Sequence, residues 1–208
     1  MIRLLTRPIS LLLIGLFITT SYYSQSNFKT KTIGNQVWMI EELKVTTFRN
    51  GDPIPEAKNR KAWAKAEKNK KPVYCHIGFN KKNPIVYNFY AIQDPRSVAP
   101  IGFRIPTIED FYTLENEVGN INALQAKNSF RTYRGSEKNI GTNASGFNAY
   151  PLGYVDSRGY PASEDEWAFY WTIDKDKYNG ITFRIDDARG EKTTVHRSWG
   201  IPLRCIAE

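Results

Sequence analysis

Two histidines, two cysteines and two methionines are all that this 208-residue chain offers among the side chains most used for soft-metal binding and redox work. His76 and His196 stand alone, with no HExxH, no CxxC and no three-ligand run, so no zinc centre can be assembled from local sequence. His76, beside Cys75, reads as a packed or edge histidine, and His196, in the alternating run KTTVHRS, as a surface strand residue. A GxSxG turn is missing too, and two histidines leave few catalytic triads to draw. No repeat of 20–50 residues and no low-complexity tract appears, which makes a single domain the economical organisation.

Long apolar runs are also scarce. The first, from Ile9 to Ile18, follows Arg3 and Arg7 and fades into Thr, Ser and Tyr. It is too short for the ~20 residues of a membrane-spanning helix and has the layout of a secretory signal peptide. Residues 1–24 are therefore expected to be a signal peptide, cut between about 21 and 26, ahead of a domain at 25–208. No cysteine lies in the first 27 residues to carry a lipoprotein anchor, so the exported chain is expected to be soluble, with no membrane span. Its destination is the periplasm, the cell surface or the medium. In an oxidising compartment Cys75 and Cys205 are expected to pair, closing a long loop and constraining the unfolded chain by about 5 kcal/mol.

The formal charge of +8 falls to +6 once Arg3 and Arg7 leave with the leader. Segment 58–71, KNRKAWAKAEKNKK, holds seven basic residues and Glu67, so it carries that whole excess. One basic segment on an otherwise neutral exported domain reads as a solvated surface and not as a nucleic-acid groove. It has the charge to attract acidic glycans or phosphate-bearing lipids.

Along the chain, Asn59 is placed to cap a short helix over RKAWAKAEK, whose Trp63 docks on the core. A second helix follows Thr107: Ile108, Phe111, Leu114 and Val118 form one apolar face, Glu109 and Asp110 suit its first turn, and Gly119 stops it. PVYCHIGF and PIVYNFYAI read as strand or buried chain, and 120–146 as mostly loop. The C-terminal third, with WAFYWTI, ITFRIDD, KTTVHRS and GIPLRCIA, reads as strands between turns. In WAFYW, Trp167, Phe169 and Trp171 share the face expected to meet the core.

Five ordered blocks carry a resemblance: IGNQVWMIEELKVTTFRNGDPIPEA (33–57), AWAKAEKNKKPVYCHIGFN (62–80), VYNFYAIQDPRSVAPIGFRIPTIEDFYTLENEVG (86–119), SGFNAYPLGYVDSRG (145–159) and GIPLRCIAE (200–208). Together they resemble the Fibrobacter succinogenes major paralogous domain, found in exported proteins of Bacteroidetes and Fibrobacteres. His76, Phe89 and Phe103 depart from the aromatic or tryptophan common there. That family is similar in pattern to C-type-lectin-like domains and to the formylglycine-generating enzyme. The resemblance implies an α+β fold: a C-type-lectin-like, loop-rich antiparallel sheet with two helices and paired terminal strands. It brings no settled activity, and fold analogy does not make a lectin.

Formylglycine-type oxidation needs neighbouring reactive cysteines, whereas here one lies early and one at the terminus. The binding candidates are therefore the polar residues of loop 154–166, namely Tyr154, Asp156, Arg158, Tyr160, Glu164, Asp165 and Glu166, with Arg184 and Arg197 from neighbouring strands. The contiguous acids, with Asp156, Asp174 and Asp176, could supply oxygens to calcium, but a solvated acidic loop is the preferred reading and no metal ligand is assigned. No catalytic residue is assigned either. The expected function is an exported binding or structural module for glycan or envelope protein. The alternatives are an envelope enzyme acting on glycans through Glu164, Glu166, Asp186 or Asp187, and an accessory subunit gripped by segment 58–71.

Overall fold

The computed structural model describes residues 28–131, 141–175, 180–186 and 189–208, so the expected signal peptide lies outside it. Strands β1 (Thr30–Ile33) and β2 (Gln36–Met39) form the first hairpin. Helix α1 (Arg60–Lys68) starts where the sequence places it, with the Asn59 side chain accepting from the Ala62 N–H at 2.9 Å. Strands β3 (Tyr74–His76) and β4 (Ile85–Tyr87) make a second hairpin. Its tip is tied by His76 Nδ1 donating to the Asn83 carbonyl at 2.7 Å and by Asn83 Nδ2 donating to Ile77 at 2.9 Å.

A third helix joins the two expected. Helix α2 (Phe89–Ile92) is a single turn inside a run read as strand or buried chain, and too short to show a period of its own. Buried Asn88 builds it: its Oδ1 accepts from Ala91 and Val73 at 3.1 Å each, and its Nδ2 donates to Lys71 at 2.9 Å. After β5 (Phe103–Arg104) comes α3 (Ile108–Val118), closed by a capping box between Thr107 and Asp110. Arg104 clasps the Asp110 carboxylate with two bonds of 2.6 and 2.7 Å. Gly119 ends α3 in the left-handed region at φ 66°.

The remaining strands are β6 (Tyr154–Val155), β7 (Pro161–Ala162), β8 (Ala168–Lys175), β9 (Gly180–Ile185), β10 (Gly190–Val195) and β11 (Ile206–Ala207). They complete an α+β architecture of antiparallel sheets in the orders β1-β2-β11-β5, β10-β9-β8, β3-β4 and β6-β7. Ile206 pairs with Trp38 on one side and Arg104 on the other, so the terminal strands are paired as expected. Much of the stretch between Phe147 and Gly153, and of that between Ile201 and Cys205, is buried but irregular, where strand had been expected. Among the described residues no helix is long and apolar enough to cross a membrane.

The core has more sides than WAFYW suggests. Phe169 and Trp171 point into a cluster with Met39, Tyr87, Phe89 and Leu203. Ala168 and Tyr170 point the other way, into a cluster with Trp38, Phe111, Phe147 and Phe183. β8 is thus buried on both faces, and Trp167, expected inside, is only half-buried. The outer edge of β8 is held by bonds from the Trp171 N–H to Pro202 at 3.1 Å and the Ile173 N–H to Pro106 at 2.9 Å.

The expected disulfide is corrected: Cys75 and Cys205 are both free thiols. Cys75 projects into a third cluster with Trp63, Val86 and Val155, whereas Cys205 belongs to the Met39–Trp171 cluster. Each sulfur is enclosed by its own set of apolar side chains. Burial pushes the Cys205 thiol up to about 12 and the Cys75 thiol higher still, so both are inert neutral hydrophobes at neutral pH.

Candidate functional site

Loop 154–166 is a hairpin, with Tyr154 opposite Ala162 and Val155 opposite Pro161. Asp156 organises its turn. One carboxylate oxygen accepts the N–H groups of Arg158 and Tyr160 at 2.8 and 2.9 Å, and the other accepts Nε and one Nη of Arg158 at 3.1 Å each. Burial works to raise the pKa of this carboxyl, but the Tyr160 and Arg158 N–H groups and the Arg158 guanidinium together hold it below the ordinary range. Asp156 is therefore spent on structure. Tyr154 is half-buried, stacked on Trp199 with ring centres 3.7 Å apart, and burial raises its pKa.

The turn is seated on α1. Trp63 Nε1 donates to the Asp156 carbonyl at 3.0 Å. Gly159, at φ 87°, comes so close to α1 that a Cβ there would lie 2.9 Å from Arg60 Cγ and 3.1 Å from Phe79 Cζ. This contact brings together residues that are a hundred positions apart in sequence. The Arg60 guanidinium lies 3.8 Å over the Tyr160 ring and that of Arg158 5.5 Å from it, while Tyr160 remains 45% exposed. Arg60 was not among the sequence candidates. It looked like one more cation of a solvated helix, and no local pattern ties residue 60 to residue 160.

The acidic triplet forms a separate exposed turn between β7 and β8, with Asp165 at φ 66°. The Asp165 N–H donates to Pro151 at 2.9 Å, and its carboxylate meets the Arg131 guanidinium at 3.2 Å. Glu164 and Asp165 form one wall of a groove of about 260 Å³ whose other walls are Ile77, Asn83, Pro84, Pro151 and Leu152. Glu166 is exposed on the same turn but does not line the groove. The groove joins the tip of the β3–β4 hairpin to the chain before β6, a pairing invisible to sequence reading.

The two arginines expected on neighbouring strands separate from this face, and Arg197 lies not on a strand but in the turn after β10, which ends at Val195. Arg184 on β9 is committed to Glu191, contacts Asp186 at 3.5 Å, and lies 4.8 Å over Trp167. Arg197 lies 4.8 Å over Phe89 of α2 and acts on the nearby Tyr90 hydroxyl. Asp174 is likewise taken, its carboxylate accepting the Ile108 N–H of α3 at 2.7 Å, and Asp186 accepts the Arg189 N–H at 3.0 Å. Asp176 and Asp187 lie outside the described residues. Among the described residues no three His, Cys, Asp or Glu side chains converge as a cation site requires.

The fold and this face define an α+β module closed by its own termini, with its exposed polar chemistry on hairpins and turns. The family model of the Fibrobacter succinogenes major domain matches residues 32–207, and the chain belongs to that family. No curated protein and no solved structure gives a significant match.

Proposed function

We propose that the chain is an exported binding module of the cell envelope or its outside, with a glycan or an envelope protein as ligand and no chemistry of its own. In this reading residues 1–24 are a cleaved signal peptide and 25–208 one domain on a C-type-lectin-like scaffold. The observation that carries it is the β6–β7 hairpin. Its backbone is fixed by Asp156 and Gly159, while Tyr160 and Arg158 stay exposed and the neighbouring acidic turn walls a groove. Rigid loops bearing exposed polar and aromatic side chains bind at low ordering cost.

A glycan array with and without calcium tests this reading. Binding that Tyr160→Ala or Glu164→Gln weakens supports it, and any calcium dependence appears on the same array. A blank array leaves an envelope protein as ligand. Glycan hydrolysis lost in the double variant Glu164→Gln/Glu166→Gln would replace the module with an enzyme.

A further inference from the structure

We propose that the edge formed by Arg60, Arg158 and Tyr160 is a subsite for an acidic polysaccharide, whose carboxylate or sulfate groups pair with the two guanidiniums. The assignment rests on the binding-module reading and names its ligand class.

The first support is charge placed against its own helix. α1 opens with Arg60 and Lys61 and has no acidic residue in its first turn. Cations at the positive end of a helix macrodipole are disfavoured, and an oxyanion there relieves them. The helix has one carboxylate of its own, Glu67, with one oxygen buried and lacking a hydrogen-bond partner. Burial pushes that group up to about 7, so at neutral pH it offsets only about half a unit of the helix's positive charge. Arg60 has no carboxylate partner among the described residues.

The second support is preorganisation. Asp156 fixes Arg158 through Nε and one Nη, and both guanidiniums lie near the Tyr160 ring, at 3.8 and 5.5 Å from its centre. Gly159 and Trp63 lock the hairpin to α1, so the two arginines from distant chain segments stay in register. Planar guanidiniums held in place match oxyanions in two-point contacts, which flexible lysines do not. A polysaccharide suits this edge better than a bilayer. Tyr160 is the only exposed large hydrophobic residue in the hairpin or α1 among the described residues, and it is engaged with Arg60, leaving nothing to insert into lipid.

Calorimetric titration of the mature chain with polygalacturonate at ~0.15 M salt tests the proposal, with dextran, polyglutamate and phosphatidylglycerol vesicles as comparisons. The expected result is selective binding of polygalacturonate. Arg60→Gln/Arg158→Gln weakens it at least about tenfold, and Arg60→Lys/Arg158→Lys, which keeps the charge, weakens it about fivefold. Lys65→Gln/Lys68→Gln on the same helix changes it less than about twofold. These side chains are exposed, so thermal unfolding should confirm that every variant is folded. Equal binding of polyglutamate or vesicles, or a lysine variant equal to wild type, would overturn the proposal. Neutral-glycan binding that depends on Glu164 but not on the arginines would overturn it while leaving the module reading intact. No response to polygalacturonate or to any arrayed glycan, with no envelope protein bound, would remove both.

Discussion

Arg204 is buried to 0% exposure, and its guanidinium donates to Glu42 at 2.6 Å and to the carbonyls of Phe147 and Asn148. The rings of Phe147 and Tyr170 lie 4.7 and 5.1 Å from it. Arg204→Ala would leave Glu42 and two carbonyls without a donor and is expected to cost about 3–5 kcal/mol in urea unfolding. Glu67 works in the opposite direction. Its folded pKa stands at about 7 against an ordinary 4.5, so the unfolded chain ionises first and stability falls as pH rises from 4.5 to 7. Discounted for partial exposure, the loss is about 1–2 kcal/mol. Glu67→Gln should flatten that slope and raise the melting temperature at pH 7. Neither role was legible in the sequence, where Arg204 sits in an apolar run and Glu67 in a cationic one.

At the scale of elements, legibility followed the local signals. α1 and α3 were readable to the residue because Asn59, Thr107 and Gly119 cap them, α1 is rich in alanine, and the apolar positions of α3 repeat with the helix period. α2 escaped because four residues carry no period, and its cap, Asn88, is held by partners outside the helix as well as within it. Much of loop 154–166 is exposed, as its polar composition suggested, but its division was not legible. Asp156 and Gly159 build the hairpin, Tyr160 lies under Arg60 of α1, Arg158 is held by Asp156, and Glu164 and Asp165 line the groove. That division arises from contacts between distant segments, which no sequence window holds. Gly159→Ala should expose the dependence. Its left-handed φ and the 2.9 Å approach to Arg60 predict a loss of about 1–3 kcal/mol and release of Tyr160 from Arg60, visible in near-ultraviolet circular dichroism.

For the molecule as a whole, two clusters divided by β8 replace the single-faced core expected from WAFYW. The thiols belong to different clusters as well, Cys205 to the Met39–Trp171 cluster and Cys75 to the one around Trp63. A thiol reagent should label neither Cys75 nor Cys205 in the native protein, yet label two thiols per chain in denaturant without reductant. No labelling in denaturant would restore the disulfide. Deleting residues 206–208 should leave the domain largely unfolded by tryptophan fluorescence, because Ile206 joins β2 to β5.

The seat of Ile206 between Trp38 and Arg104 also sets an order of events in time. The N-terminal hairpin is made well before residue 206, so the four-stranded sheet cannot close until the whole domain between them has been synthesised. A domain built this way stays unlaced until its last strand arrives.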